Sequence, residues 1–217
     1  MISQNKRPKL DNETEIFLIR HAVTDFNQQG YFQGVSDIPI NAEGHMQAQA
    51  LKQRFLEEKV QLDHIYTSYL VRTQETAKPL ADAFKLESRV LDGVHELDGG
   101  KLEGMHFDDI EKLFPDYLKV QSSRPYFVEA PNGETGREVH KRGVDAFNFI
   151  LDTHRGETTS IVSHGLFLQL LMPYLHGVNP EEAKPFIARN TAVTRVLISP
   201  KREIEVVYMH DYSHMLE

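Results

Sequence analysis

Short apolar runs separated by helical patterns organise the chain from about residue 15 onward. Ile16–Ile19 reads IFLI without alternation, and Thr158–Ser163 is a second β-rich run. Runs of this kind are typical of strands buried on both faces, as in a parallel sheet. The same criteria predict four further strands, at Leu62–Thr67, Arg89–Leu97, Val193–Ile198 and Ile204–Tyr208.

Helical spacing fills most of the intervals between these strands. Ala48, Leu51 and Phe55 recur on one helical face after Asn41, a residue suited to the N-cap. A second helix is predicted over Arg137–Leu151. Helices that alternate with apolar strands predict an α/β fold, a three-layer sandwich with a mainly parallel central sheet.

Two other predicted helices follow strand ends. Ser68 is expected to cap one of them, which runs through Ala77 and is disturbed at Pro79. The other runs from His164 to about His176, and Gly177 suits the position just after its end.

Residues 98–136 follow a different pattern, rich in glycine and proline, with one short helical piece at Phe107–Phe114. We predict a small cap insertion there, outside the core. Its aromatic residues either line a substrate pocket or form the cap's own small core, and the sequence favours neither interpretation. These residues are Tyr117, Tyr126 and Phe127.

Composition narrows the class of protein. With 217 residues, 40% of them hydrophobic, the chain suits a single domain, assigned here to residues 15–217. A net charge of -8 repels nucleic acid and anionic lipid, so neither is expected as a partner. The absence of cysteine excludes disulfides and thiolate chemistry. The polar segment 1–14 is predicted to be a disordered tail without a secretory signal, and the cytoplasm is the expected location.

Chemically active side chains follow the predicted strand ends. Arg20 and His21 come directly after the first strand, and His164 comes directly after the run that ends at Ser163. Arg72 and Glu96 follow the next two strands. Because ligands of open α/β sheets bind at the carboxyl ends of strands, these groups are expected to share one crevice. Arginine forks match phosphate oxygens, neutral imidazole attacks phosphorus, and a carboxyl group moves protons.

Four segments in order resemble the histidine phosphatase superfamily, also called the phosphoglycerate-mutase-like family. Arg20–Asn27 resembles its Arg-His-Gly-x-Thr-x-x-Asn signature, except that Ala22 replaces glycine. Tyr66–Ala77 resembles its TSxLxRTxETA helix start. Glu96 with the glycines after it resembles the acid–base segment, and Val162–Gly165 resembles the second histidine motif.

The resemblance implies roles for the matching positions. His21 would be the nucleophile that forms a phosphohistidine, and Glu96 would donate and accept the proton. His21, Glu96, His164, Arg20 and Arg72 would form the catalytic set. Phosphate or substrate would be bound by Arg20, Asn27, Gln33, Arg72, His164 and Gly165. The implied partner is a small phosphorylated metabolite, and no metal or other cofactor is expected.

Structural interpretations compete with these roles. Arg72 alone would be read as an ion-pair partner on a helix surface. Asp98 and Glu103 lie close enough in sequence to Glu96 that the residues alone do not choose the acid. His210 and His214 form an i, i+4 pair, but without a neighbouring glutamate they are interpreted as a fortuitous pair rather than a zinc site.

The acid–base segment favours a phosphatase over a mutase. Phosphoglycerate mutases of the family usually carry Glu-Arg-His-Tyr-Gly, whereas this chain reads ELDGG over residues 96–100. The nearest basic residues of the cap, Arg124, Arg137, Lys141 and Arg142, are diluted by glutamates. The predicted activity is hydrolysis of small-molecule phosphate monoesters. The alternatives are mutase-type phosphoryl transfer and a non-catalytic protein that binds a phosphorylated ligand.

Overall fold

A computed structural model describes residues 7–182, 185–186 and 188–215. The strands are β1 (Thr14–Arg20), β2 (His64–Thr67), β3 (Ser88–Val90), β4 (Thr158–Ser163), β5 (Val193–Ile198) and β6 (Ile204–Asp211). The α-helices are α1 (Asp25–Gln29), α2 (Ala42–Glu57), α3 (Val71–Phe84), α4 (Phe107–Leu113), α5 (Pro115–Ser123), α6 (Gly136–Thr153) and α7 (Gly165–Leu175). None of the described helices is long and apolar enough to cross a bilayer.

The six strands form one sheet in the order β3-β2-β4-β1-β5-β6. The four strands from β3 to β1 pair in parallel, whereas β5 and β6 run antiparallel at one side. The predicted mainly parallel sheet is confirmed. Since β2, β4 and β1 are neighbours and parallel, their carboxyl ends lie side by side.

Helices cover both faces of the sheet, as the alternation of side chains along β1 shows. Ile16 and Leu18 point into a core that includes residues of α6 and α7. Phe17 and Ile19 point into a second core with residues of α2 and α3. The three-layer architecture is therefore confirmed, and its strands are buried on both faces as the apolar runs predict.

The start and length of α3 differ from expectation. Leu70, not Ser68, occupies the N-cap position, and its side chain makes no capping bond. The helix also continues past Pro79 to Phe84. Its buried face extends beyond the proline to Leu80 and Ala81, so tertiary packing outweighs the local cost of a proline.

The cap segment, residues 98–136, contains two α-helices where one was predicted. Pro115 is the first residue of α5, a position at which its fixed φ angle and missing N–H are tolerated. Tyr117 on that helix is buried in the larger core and lies edge-to-face with Phe32, at a centroid distance of 6.1 Å.

Residues 7–14, which were predicted to belong to a disordered tail, contact the folded domain. Arg7 pairs with Glu13 at 2.5 Å, and Lys9 donates a hydrogen bond to the Gly156 carbonyl at 2.6 Å. β1 already begins at Thr14. These contacts fix residues 7–14 against the sheet, and residues 1–6 lie outside the described part of the chain.

Candidate active site

The two histidines lie at the ends of neighbouring parallel strands. Arg20 is paired with Ser163 in the register of β1 and β4, so the next residues, His21 and His164, leave the sheet together. Their ring centroids are 5.3 Å apart. Both imidazoles are buried, with 2% and 0% of their surfaces exposed. The crevice predicted from the strand ends is therefore formed.

His21 has one ring nitrogen engaged and one free. Nδ1 lies 2.7 Å from the Ala22 carbonyl oxygen, which can only accept, so Nδ1 carries the proton. Burial, with the charges of Arg72 and Arg20, holds the pKa of His21 well below its usual value. The imidazole is then neutral at physiological pH, and its Nε2 keeps a lone pair suited to attack an electrophile.

Four buried nitrogens near this imidazole have no hydrogen-bond partner among the residues that the structure describes. They are Arg20 Nε, Gln33 Nε2, Arg72 Nε and His164 Nδ1. Buried polar groups are almost always paired, so a cluster of unpaired donors calls for an explanation. Two guanidiniums and an amide offer only N–H here, which is the donor set that an oxyanion would satisfy.

Backbone carbonyls hold the two guanidiniums in place. Arg72 donates to Ser36 at 2.8 Å and to Gly34 at 2.7 Å, while Arg20 donates to Ala188 at 2.5 Å. Burial lowers the pKa of Arg72 to about 10, so the group stays charged at neutral pH. None of the described carboxylates forms an ion pair with Arg72, and its side chain is wholly buried rather than a solvated surface charge.

Glu96 lines the cavity above this cluster and is held against the first turn of α7. Its carboxylate accepts backbone hydrogen bonds from Leu166 at 3.0 Å and Phe167 at 2.9 Å. Arg142 fixes the backbone beneath it by donating to the Glu96 carbonyl at 3.1 Å and the His95 carbonyl at 2.7 Å. The first amides of α7 thus bind Glu96 in this conformation.

The two other candidate acids, Glu103 and Asp98, bind backbone amides outside the cavity. Glu103 accepts backbone hydrogen bonds from Val35 at 2.9 Å, Ser36 at 3.0 Å and Gly99 at 2.8 Å. It therefore organises the loop that supplies carbonyls to Arg72. Asp98 accepts from the Gly100 amide at 2.8 Å. Of the three candidate acids, only Glu96 lines the cavity.

The remaining predicted binding residues also line the cavity. Gln33 accepts a hydrogen bond from the Thr24 hydroxyl at 2.9 Å, which leaves its Nε2 free. Asn27 accepts from Asn190 at 3.2 Å. Gly165 lies directly against the guanidinium of Arg20.

Three site residues escaped the sequence analysis or were given other roles. Asn190 lines the cavity and donates to the His21 carbonyl at 3.0 Å, but it lies outside the recognised motifs. Arg142 was considered only as a cap charge. Ser68, expected to cap a helix, places its hydroxyl 2.8 Å from His164 Nε2. Only Ser68 carried a signal, because it belongs to a matched motif.

The cavity measures about 920 Å³ and is bounded by the sheet ends, the cap segment and residues 185–190. Charged residues are few among its described lining: Arg20, Glu96, Glu111 and Lys119. Much of the wall is apolar, formed by Phe32, Leu97, Phe107, Pro115, Leu118, Leu166, Pro185 and Phe186. Tyr117, Tyr126 and Phe127 are not among the described lining residues. Tyr117 belongs to the larger core of the domain and Tyr126 packs against it, so these two do not form a separate core of the cap.

A search of the described residues gives one group outside the crevice whose metal-ligating atoms lie within 4.8 Å of one another, and it consists of His64, His154 and Glu157. These side chains already bond one another, since Glu157 Oε2 lies 2.8 Å from His64 Nε2 and 3.0 Å from His154 Nδ1. His64 is far in sequence from His154 and Glu157, so residue spacing does not predict the group. The His210–His214 pair is not part of it, and His214 instead lies 3.1 Å from the Thr191 hydroxyl.

Comparisons with known proteins agree with this geometry. A "Phosphoglycerate mutase-like protein 4" of Arabidopsis thaliana is 31% identical over 94% of this chain and 87% of its own. "Phosphoserine phosphatase 1" of Hydrogenobacter thermophilus is 28% identical over 88% and 89%. The solved structure of Bacillus stearothermophilus YhfR superposes with a TM-score of 0.86 at 29% identity, covering 93% of this chain and 99% of that one. The family model of the histidine phosphatase superfamily, branch 1, matches residues 16–211, and the chain belongs to that superfamily.

Proposed function

We propose that this protein is a metal-independent phosphatase that hydrolyses small-molecule phosphate monoesters through a phosphohistidine on His21. One observation carries the proposal. In the described part of the chain, four buried nitrogens near a neutral imidazole have no hydrogen-bond partner, and the Nε2 of that imidazole has none either. A phosphoryl group would satisfy those donors and place its phosphorus within reach of that nitrogen.

The reaction follows from these positions in two steps. His21 Nε2 attacks phosphorus, the bond to the ester oxygen breaks, and Glu96 in its acid form gives that oxygen a proton. Arg20, Arg72 and His164 hold the phosphoryl oxygens during the transfer. Water then attacks the phosphohistidine, Glu96 takes a proton from it, and phosphate leaves.

Hydrolysis is favoured over mutase-type transfer by the charges of the cavity. A phosphoglycerate carries a second anionic group, which requires cations away from the phosphoryl site. Beyond Arg20, the described lining offers one cation, Lys119, and it is accompanied by Glu111. The mutase alternative is retained because a relative in the comparison is named mutase-like.

Trapping the covalent intermediate tests the proposal. Rapid acid-free quenching with ³²P-labelled substrate should leave acid-labile, base-stable label on His21. His21→Ala should lose the label and at least about 10³-fold of turnover, since the residual rate without a nucleophile reflects binding alone. His64→Ala, which removes a histidine at the opposite end of the sheet, is the matched control and should keep both. Unlabelled wild-type protein with full turnover would refute the mechanism.

A further inference from the structure

Ser68 follows β2 directly, and its hydroxyl is buried against the second histidine. Ser68 Oγ lies 2.8 Å from His164 Nε2 and 3.0 Å from Thr73 Oγ1. The Leu70 amide donates to the same oxygen at 3.2 Å. The three side chains are wholly buried, so water does not compete for these bonds.

The protons of this network can be counted. Thr73 Oγ1 lies 2.8 Å from the Leu70 carbonyl, which gives the threonine proton an acceptor of its own. The Leu70 N–H already occupies one lone pair of Ser68 Oγ. The Ser68 hydroxyl proton is then available for donation to His164 Nε2, which in that arrangement is the acceptor.

We propose that Ser68 is a positioning residue that holds His164 in the tautomer with its proton on Nδ1. A neutral imidazole has one donor and one acceptor, so a bond accepted at Nε2 makes Nδ1 the donor. Nδ1 of His164 is buried and has no hydrogen-bond partner among the described residues. In this tautomer it offers N–H to a phosphoryl oxygen, whereas the other tautomer would turn a lone pair toward the anion.

The neutral state of His164 is supported by its surroundings. Burial lowers the pKa of His164 well below its usual value, and the charge of Arg72 lowers it further. Since the ring does not gain a second proton at neutral pH, the choice of tautomer decides whether it attracts or repels phosphate. The inference rests on the proposed function, because it assigns the donor role of His164 at the same site.

Nuclear magnetic resonance of ¹⁵N-histidine-labelled wild-type protein tests the tautomer directly. The His164 resonances are identified by their loss in His164→Gln. At neutral pH we expect a protonated Nδ1 and an unprotonated Nε2, with the Nδ1 signal shifting when inorganic vanadate is added. A proton on Nε2 would overturn the proposal, and this measurement needs no variant of Ser68.

Substitutions then test its consequence. Ser68→Ala should lower kcat/KM and the affinity for vanadate by about 10- to 100-fold, the value of a hydrogen bond to a charged group. It should also let the His164 proton exchange between both nitrogens. Ser68→Thr keeps the hydroxyl and should restore most of the loss. Tyr66→Phe is the matched control. It removes a buried hydroxyl of β2 that lies 2.9 Å from His154 Nε2, away from the crevice.

The outcomes separate this inference from the proposed function. A folded Ser68→Ala protein with wild-type kcat/KM and vanadate affinity would refute the positioning role. Wild-type protein that releases no phosphate from any ester, yet shows the Nδ1-protonated ring, would refute the phosphatase and leave the tautomer standing.

Discussion

Gly165 approaches Arg20 so closely that a Cβ atom added at residue 165 would lie 3.3 Å from Arg20 Nε. Among the described residues that nitrogen is one of the buried donors without a partner, and the absence of a side chain at Gly165 leaves the space beside it unfilled.

We expect Gly165→Ala to shift the Arg20 guanidinium by a few tenths of an ångström. KM should rise by about 10-fold, because misplacement of a binding group is costly in a preorganised site. Gly165 is the first residue of α7, and alanine favours the helix over glycine by up to about 1 kcal/mol. The substitution should therefore leave Tm unchanged or raise it. Steady-state kinetics and thermal unfolding on the same sample check both. An unchanged KM would mean that Arg20 has room to move.

Glu96→Gln should separate the two chemical steps. With alkyl phosphates, kcat should fall by about 10²- to 10⁴-fold, since neither proton transfer is assisted. With p-nitrophenyl phosphate, whose leaving group needs no proton, a burst of nitrophenol should precede a slow steady state.

Glu103→Gln is the control for that substitution. Because the described hydrogen bonds of Glu103 are with backbone amides and Ser36, its replacement should lower Tm. With p-nitrophenyl phosphate, the burst and the steady-state rate should keep their wild-type ratio. A normal rate in Glu96→Gln on alkyl phosphates would move the acid to another residue.

The buried histidines predict the pH dependence of stability. The pKa values of His21 and His164 are lowered well below 6.5 in the folded protein, whereas unfolded histidine titrates near that value. The unfolded chain therefore binds more protons below pH 6.5, and folding free energy is lost as the pH falls from there. Each such histidine contributes a slope of up to about 1.4 kcal/mol per pH unit. Urea titrations between pH 7.5 and 5 give the free energy of unfolding at each pH. Its dependence on pH should be shallower in His21→Ala than in the wild type, and an equal dependence would contradict the assignment.

The apolar wall of the cavity predicts a preference among leaving groups. We expect kcat/KM for 1-naphthyl phosphate to exceed that for 3-phosphoglycerate or phosphoserine by at least about 10-fold, because a buried ring gains free energy and a second anion finds few cations. Leu118 lies on the cavity wall, and Leu118→Lys should lower the ratio of kcat/KM for 1-naphthyl phosphate to kcat/KM for the charged esters. Leu113→Lys is the control, since that side chain is 66% exposed and does not line the cavity. A preference for the charged esters in the wild type would reverse the prediction.

Chelation tests the source of positive charge. If arginine and histidine supply it, prolonged dialysis against EDTA should change kcat by less than about two-fold, in contrast to metal-assisted hydrolysis, where the ion polarises the phosphoryl oxygen. Restoration of lost activity by Mg²⁺ or Zn²⁺ alone would count against the proposed mechanism.

The sequence predicted the ends of strands better than the contacts between distant loops. Arg20, His21 and His164 were placed correctly because each directly follows a buried strand whose pattern is local. The hold of Arg142 on the Glu96 backbone joins residues 46 apart, and no spacing encodes it. Helix α5 was not predicted in a segment rich in glycine and proline, although a proline such as Pro115 is well tolerated at the first helical position. The cap was the least predictable part, since tertiary packing rather than periodicity determines it.

The order β2-β4-β1 has a consequence for how the chain acquires activity. His21 follows the first strand of the chain and His164 follows the fourth, yet these two strands must lie side by side before either histidine has its environment. Such long-range parallel pairing is slow, because the entropy of closing a large loop is lost before the contacts between the strands stabilise the chain. A chain in which β4 has not yet left the ribosome therefore has no second histidine strand with which to complete the crevice. If the proposed hydrolysis is correct, its recovery during refolding is accordingly a late signal, one that reports the closure of the sheet centre rather than the formation of helices.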